Sequence, residues 1–113
     1  MRTLFDSVDR LEGAMTFHRE RQSVLAGNLA NLDTPGYKTR EANFASALDG
    51  ELSASTAPET TEVAGLPAKR DGNNVQLDRE LLSLNRAAGD FSAAQTALSA
   101  KFRLVRYAIN EGR

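Results

Sequence analysis

The sequence predicts an all-α fold: two long N- and C-terminal helices forming an antiparallel coiled-coil hairpin, joined by an irregular, partly disordered linker. Three observations predict it. Apolar side chains recur at alternating spacings of four and three from Leu4 to Leu32 and again from Leu77 to Ile109, the period of a coiled-coil seam. Between the two patterns lies a stretch dominated by Ser, Thr, Ala, Pro, Glu and Gly. Directly after the first pattern stands Thr34-Pro35-Gly36-Tyr37, which halts a helix.

The first seam runs through Leu4, Val8, Leu11, Met15, His18, Gln22, Leu25, Leu29 and Leu32, seven of nine members apolar. Thr3 or Asp6 is the expected start, with Asp6, Asp9 and Glu12 near the positive end of the helix dipole. At 1.5 Å per residue, Leu4 to Leu32 spans about 43 Å. A rod of this length cannot bury its seam on itself and needs a partner. His18 is the only histidine. Without cysteine or a clustered acid pair it makes neither a metal site nor a catalytic triad, so it reads as structural. Gln22 reads likewise, since polar seam residues commonly specify register.

The stop follows from elementary constraints. Pro35 has no backbone N–H and pushes Thr34 out of the α region. Pro-Gly suits the two central positions of a type II turn, where Gly36 takes positive φ. The side chains of Asn28, Asn31 and Asp33 are placed to serve backbone groups freed at the helix end. Tyr37 to Glu41 reads as extended or irregular, and Phe44 to Leu48 as a short helical turn.

From Asp49 to about Asn74, Leu52, Val63 and Leu66 are the only large aliphatics. They are too few to offset the cost of ordering about 25 residues, so a mobile linker is expected. Asp71-Gly72-Asn73-Asn74 is a turn cluster before the next helix. The chain thus divides into a helix over 1–33, a turn and flexible linker over 34–74, and a helix over 75–113, one assembly domain in all.

The second seam runs through Leu77, Leu81, Leu84, Ala88, Phe91, Gln95, Leu98, Phe102, Val105 and Ile109. Asn74 or Asp78 is the expected N-cap. Gly89 and Asp90 weaken the helix at its middle. Lys101, Arg103, Arg106 and Arg113 against Glu111 make the end cationic, which suits a helix C-terminus. Opposite the seam, Ala93, Ala97, Ala100, Leu104 and Tyr107 form a second apolar stripe. A two-helix coiled coil leaves such positions charged, so this stripe, with Phe17 and Val24 on the first helix, is expected to meet other subunits.

An antiparallel register pairing Leu4 with Ile109 sets Met15 against Leu98 and His18 against Gln95. In that register His18 acts as a lock, because a heptad shift would leave buried donors and acceptors unpaired.

Composition excludes several classes. The 113 residues support one small domain. Net charge is -1, which argues against a general nucleic-acid binder. There is no cysteine, hence no disulfide, zinc-thiolate or thiol chemistry. No run is long enough to span a bilayer, and Met1 to Asp6 lacks the apolar core of a secretion signal. A cytoplasmic protein is therefore expected unless export takes another route. An enzyme would need convergent polar groups in a pocket, and no catalytic residue or cofactor is expected.

Residues 25–37, Leu-Ala-Gly-Asn-Leu-Ala-Asn-Leu-Asp-Thr-Pro-Gly-Tyr, resemble the signature near the N-terminus of bacterial flagellar rod and hook proteins. Asn43-Phe44-x-x-x-Leu48, Asn74-Val75-Gln76-Leu77-Asp78-Arg79-Glu80 and the Leu98 to Ile109 run resemble segments of that family's proximal rod branch. Phe91 stands where that branch often has Tyr, and the linker is shorter, which leaves its β-hairpin open. The resemblance implies a structural subunit of the proximal rod, inside the periplasm, exported without cleavage by the flagellar type III apparatus. It implies neighbours in copies of the chain, the rod protein FlgC and the adaptor FliE, packed as a torque-transmitting tube. A small cytoplasmic coiled-coil adaptor or export chaperone is the rival reading, but has no use for the Thr34–Tyr37 turn.

Overall fold

The structure, a computed structural model, describes residues 2–43 and 59–111. The helical turn expected at Phe44–Leu48 and the linker from Asp49 to Pro58 lie outside the described residues. So does the side chain of Leu4.

Helix α1 spans Arg2–Ala30 and α2 spans Leu77–Glu111. They pack as an antiparallel hairpin, with Arg21 beside Asp90 and Asn28 beside Glu80. The molecule measures 69 × 25 × 20 Å. Helix α1 begins before Thr3, so its first turn holds no acid, whereas α2 opens with Asp78 and Glu80 in its first turn. Lys101, Arg103 and Arg106 fall short of the last turn of α2, which contains no cation. No described helix is long and apolar enough to cross a membrane.

Between the helices, strand β1 (Arg40–Ala42) pairs antiparallel with β2 (Thr60–Glu62), Glu41 opposite Thr61. The pairing extends at both ends, Val63 N–H donating to Thr39 at 2.9 Å and Asn43 N–H to Glu59 at 2.9 Å. The segment expected to be irregular therefore contains a short sheet. No apolar alternation holds these strands. Arg40 does, its guanidinium donating to the Thr60 hydroxyl and carbonyl at 2.8 Å each.

The helix interface differs from the expected heptads. On α2 the inward stripe is Glu80, Leu84, Ala87, Phe91, Ala94, Leu98 and Val105, with Glu80, Ala87 and Ala94 buried. Leu84, Phe91, Leu98 and Val105 belong to the expected seam, but Leu77, Leu81, Ala88, Gln95, Phe102 and Ile109 are exposed. The helix is turned so that alanines, rather than the larger seam residues, face α1. Small side chains let two helices approach closely, and close approach fills the interior.

On α1, Val8, Phe17 and Leu25 are buried, and Leu11, Met15, His18, Gln22, Leu29 and Leu32 are half-buried. Phe17, expected to face other subunits, is thus turned inward, with Val24 half-buried beside it. The register also differs. Leu4 against Ile109 would place Arg21 opposite Ser92 and Asn28 opposite Asn85. Instead they meet Asp90 and Glu80. A buried charge-assisted hydrogen bond contributes about 1.5–3 kcal/mol, and the Asn28–Glu80 bond prevails over any His18–Gln95 pairing. Gln95 is exposed, and His18 Nδ1 is buried with no hydrogen-bond partner. The His18 ring instead sits edge-on to Phe17, centroids 5.4 Å apart.

Candidate functional site

The buried polar residues gather at the closed end of the hairpin: Asn28, Thr39, Asn73, Asn74 and Glu80. Burying amides and a carboxylate is costly unless each finds partners. Here they find one another, and the result is a clasp joining the signature turn to the start of α2.

Asn28 is its centre. Its Nδ2 donates to the Arg40 carbonyl at 2.7 Å and to Glu80 Oε2 at 2.9 Å. Its Oδ1 accepts from the Tyr37 hydroxyl at 3.0 Å and from Arg40 N–H at 3.1 Å. All four hydrogen-bonding positions of the amide are thus used. Glu80, wholly buried, takes its second partner from Arg79, whose Nη1 donates to Oε1 at 2.7 Å.

The turn is built as its residue types require. Tyr37 N–H donates to the Thr34 carbonyl, closing a turn over Pro35 and Gly36, whose φ is 75°. Asn31 Nδ2 caps the Gly27 carbonyl, and the Thr34 hydroxyl donates to Asn31 Oδ1. Gly36 N–H donates to the Asp71 carbonyl at 2.8 Å. Gly72, at φ 86°, lies against it so closely that a Cβ there would meet Gly36 Cα at 3.4 Å.

Two consecutive asparagines complete the clasp. Asn73 Nδ2 donates to the Asn31 and Thr34 carbonyls, both at 2.8 Å, while its Oδ1 accepts from Val75 N–H. Asn74, expected as a helix cap, instead accepts from Thr39 N–H at 2.6 Å and the Thr39 hydroxyl at 2.8 Å. Lys38 and Lys69 donate to the Gly72 and Leu32 carbonyls across the outside. Of the signature residues, Asn28, Asn31, Thr34, Gly36 and Tyr37 enter this network directly. Pro35 shapes the turn, and Asp33 is exposed.

Sequence reasoning missed Thr39, Asn73 and the burial of Glu80. Glu80 carried a signal, lying four residues before Leu84 and seven before Ala87 on one helix face. The clasp holds no catalytic chemistry, since its donors and acceptors satisfy one another. Among the described residues, no group of three His, Cys, Asp or Glu is placed to hold a metal ion.

Away from the clasp, Leu82, Leu104 and Tyr107 are exposed on α2, as is Phe5 on α1. Of the expected stripe, Ala93, Leu104 and Tyr107 are exposed, and Ala97 and Ala100 half-buried. A long hairpin with a hydrogen-bonded closed end and exposed apolar side chains along its flanks is the form of a subunit that completes its core in an assembly.

The comparisons give that class its place. Residues 10–38, from α1 through the turn, match the family model of the flagella basal body rod protein. The flagellar basal body rod protein FlgB of Salmonella typhimurium is 34% identical over 104 residues, covering 65% of this chain and 75% of that protein. FlgB of Escherichia coli is 28% identical over 136 residues, covering 93% and 99%. FlgB of Bacillus subtilis is 25% identical over 123 residues, covering 95% of each. The chain belongs to the FlgB family of flagellar basal body rod proteins. It is a structural subunit of the flagellar rod, not an enzyme, and assembles with other components of the basal body.

Proposed function

We propose that this chain builds the proximal rod, a periplasmic tube that transmits torque, by packing against copies of itself and against FlgC and FliE after delivery by the flagellar type III export apparatus. The observation that carries this reading is the exposure of large apolar side chains along α2: Leu82, Leu104 and Tyr107 on one side, Phe102 and Ile109 on another. Each is already partly covered, so full burial gains about 1–2 kcal/mol apiece, and the hairpin has much to gain from neighbours. Ala93, Ala97 and Ala100 extend the first of these surfaces, and the exposed seam members Leu77, Leu81, Ala88 and Gln95 extend the second. In this reading the segments 1–33 and 75–113 form the tube wall, and the clasp centred on Asn28 and Glu80, with Thr39, Asn73 and Asn74, fixes the two helices to one another.

The test is complementation of a strain lacking the gene. Leu104 and Tyr107 are 58% and 66% exposed and lie outside the buried core, so Leu104→Glu with Tyr107→Glu should leave the subunit folded. Rods counted in isolated basal bodies should be lost. Normal rod numbers and swimming would overturn the role of this surface.

A further inference from the structure

A cleft of about 360 Å³ opens between α1, β1 and the start of α2. Its apolar floor is formed by Phe17, Val24 and Leu25, and Arg21 and Arg79 border it. Each guanidinium has donors to spare. Among the described residues, Arg21 meets the exposed Asp90 at 3.7 Å, and Arg79 commits Nη1 to Glu80. His18 also lines the cleft, with Nδ1 buried and unpartnered. Among the described lining residues, Glu41 is the one carboxylate. The site thus suits an apolar ring carried beside a carboxylate.

The chain offers such a group elsewhere on its own surface. Phe5 is 54% exposed, and Phe5, Asp9 and Glu12 fall at spacings of four and three on one outward face of α1. Residues four apart on a helix have Cβ atoms about 5–6 Å apart. That is the separation of Phe5 from Asp9, and equally of Arg21 from Phe17 and from Leu25. We propose that the Phe5–Asp9 face of one subunit docks in this cleft of a second copy, Phe5 on the floor and Asp9 against Arg21. The proposal rests on the self-assembly put forward above and specifies one of its contacts. Phe5 and Arg21 are about 24 Å apart along α1, so the two surfaces are different patches. Contact between different patches is heterologous, and it propagates into a ring or an open helical array rather than closing as a two-fold dimer.

Cross-linking in isolated basal bodies tests this. Asp6→Cys keeps Phe5 and Asp9, and Ser83→Cys lies in the cleft lining. Within one chain the two positions are about 28 Å apart along the hairpin, so a short bis-maleimide can join them only between subunits. The double variant should give a ladder of chain-to-chain products, and each single variant none. Rods that assemble without the ladder, or products joining Ser83→Cys to a different flagellar component, would overturn the docking while leaving the rod function intact. Absence of the natural chain from basal bodies would overturn the rod reading itself, and the docking with it. Charge exchange gives a second measurement. Asp9→Arg and Arg21→Asp should each cut rod numbers about tenfold, and the combination should restore them. Unchanged numbers in either single variant, or no recovery in the double, would overturn the pairing.

Discussion

Asn28→Asp keeps the shape of the side chain and reverses half of its hydrogen bonding. The two Nδ2 donors become a carboxylate oxygen facing Glu80 Oε2, 2.9 Å away, and the Arg40 carbonyl, 2.7 Å away. Two like charges about 3 Å apart repel by about 5 kcal/mol at an effective dielectric of 20. Loss of the two bonds adds to this, so most of the stability of a small domain is at stake. The assay is amide hydrogen exchange at Thr39, Val63 and Asn74, whose N–H groups donate within the clasp and the adjoining sheet. At 1.4 kcal/mol per tenfold, protection should fall by roughly a thousandfold or to the unprotected limit. Adding Glu80→Gln supplies a donor for the new carboxylate and should recover part of the loss. Unchanged protection in Asn28→Asp, or a double variant no better than the single, would refute the clasp as the element that fixes the hairpin.

Further outcomes follow from the packing. Ala87→Leu, at a fully buried contact, should overpack the helix interface by about 1–3 kcal/mol, whereas Ala88→Leu, which is exposed, should leave the melting curve unchanged. Gly72→Ala should destabilise by about 1–2 kcal/mol in urea titration, because its φ is positive. Gly89→Ala, helical with open space around it, should stabilise the free hairpin by about 1 kcal/mol in the same titration. Dilute monomer should show less helix by circular dichroism than assembled rods, since the ends of α1 and α2 away from the clasp bury few apolar side chains to offset chain entropy; equal helix content in the two states would contradict this.

Helices and turn were legible because their signals are local. A sustained heptad period names the helices, and Pro35-Gly36 names the stop and the positive φ at Gly36. The rotation of α2 was not legible, because hydrophobic ranking favours Leu81 and Phe102 as seam residues over Ala87 and Ala94. The fold instead rewards close approach and the single bond from Asn28 to Glu80. The sheet was hidden for a related reason. Arg40-Glu41-Ala42 and Thr60-Thr61-Glu62 show no apolar alternation, and a side chain, Arg40, ties them. Likewise Asn73 and Asn74 read as turn residues, while their amides reach back to Asn31, Thr34 and Thr39 over more than thirty residues. Long-range polar pairing of this kind leaves no periodic trace.

The most direct measurement of the central claim is an image of isolated basal bodies, at side-chain detail, from cells whose rod contains this chain. The account predicts the chain in the rod as an antiparallel hairpin, Asn28 bonded to Glu80 at its closed end. Leu104 and Tyr107 should be covered by neighbouring subunits. A chain lying outside the rod, or one whose two helices separate to pair with different subunits, would contradict it.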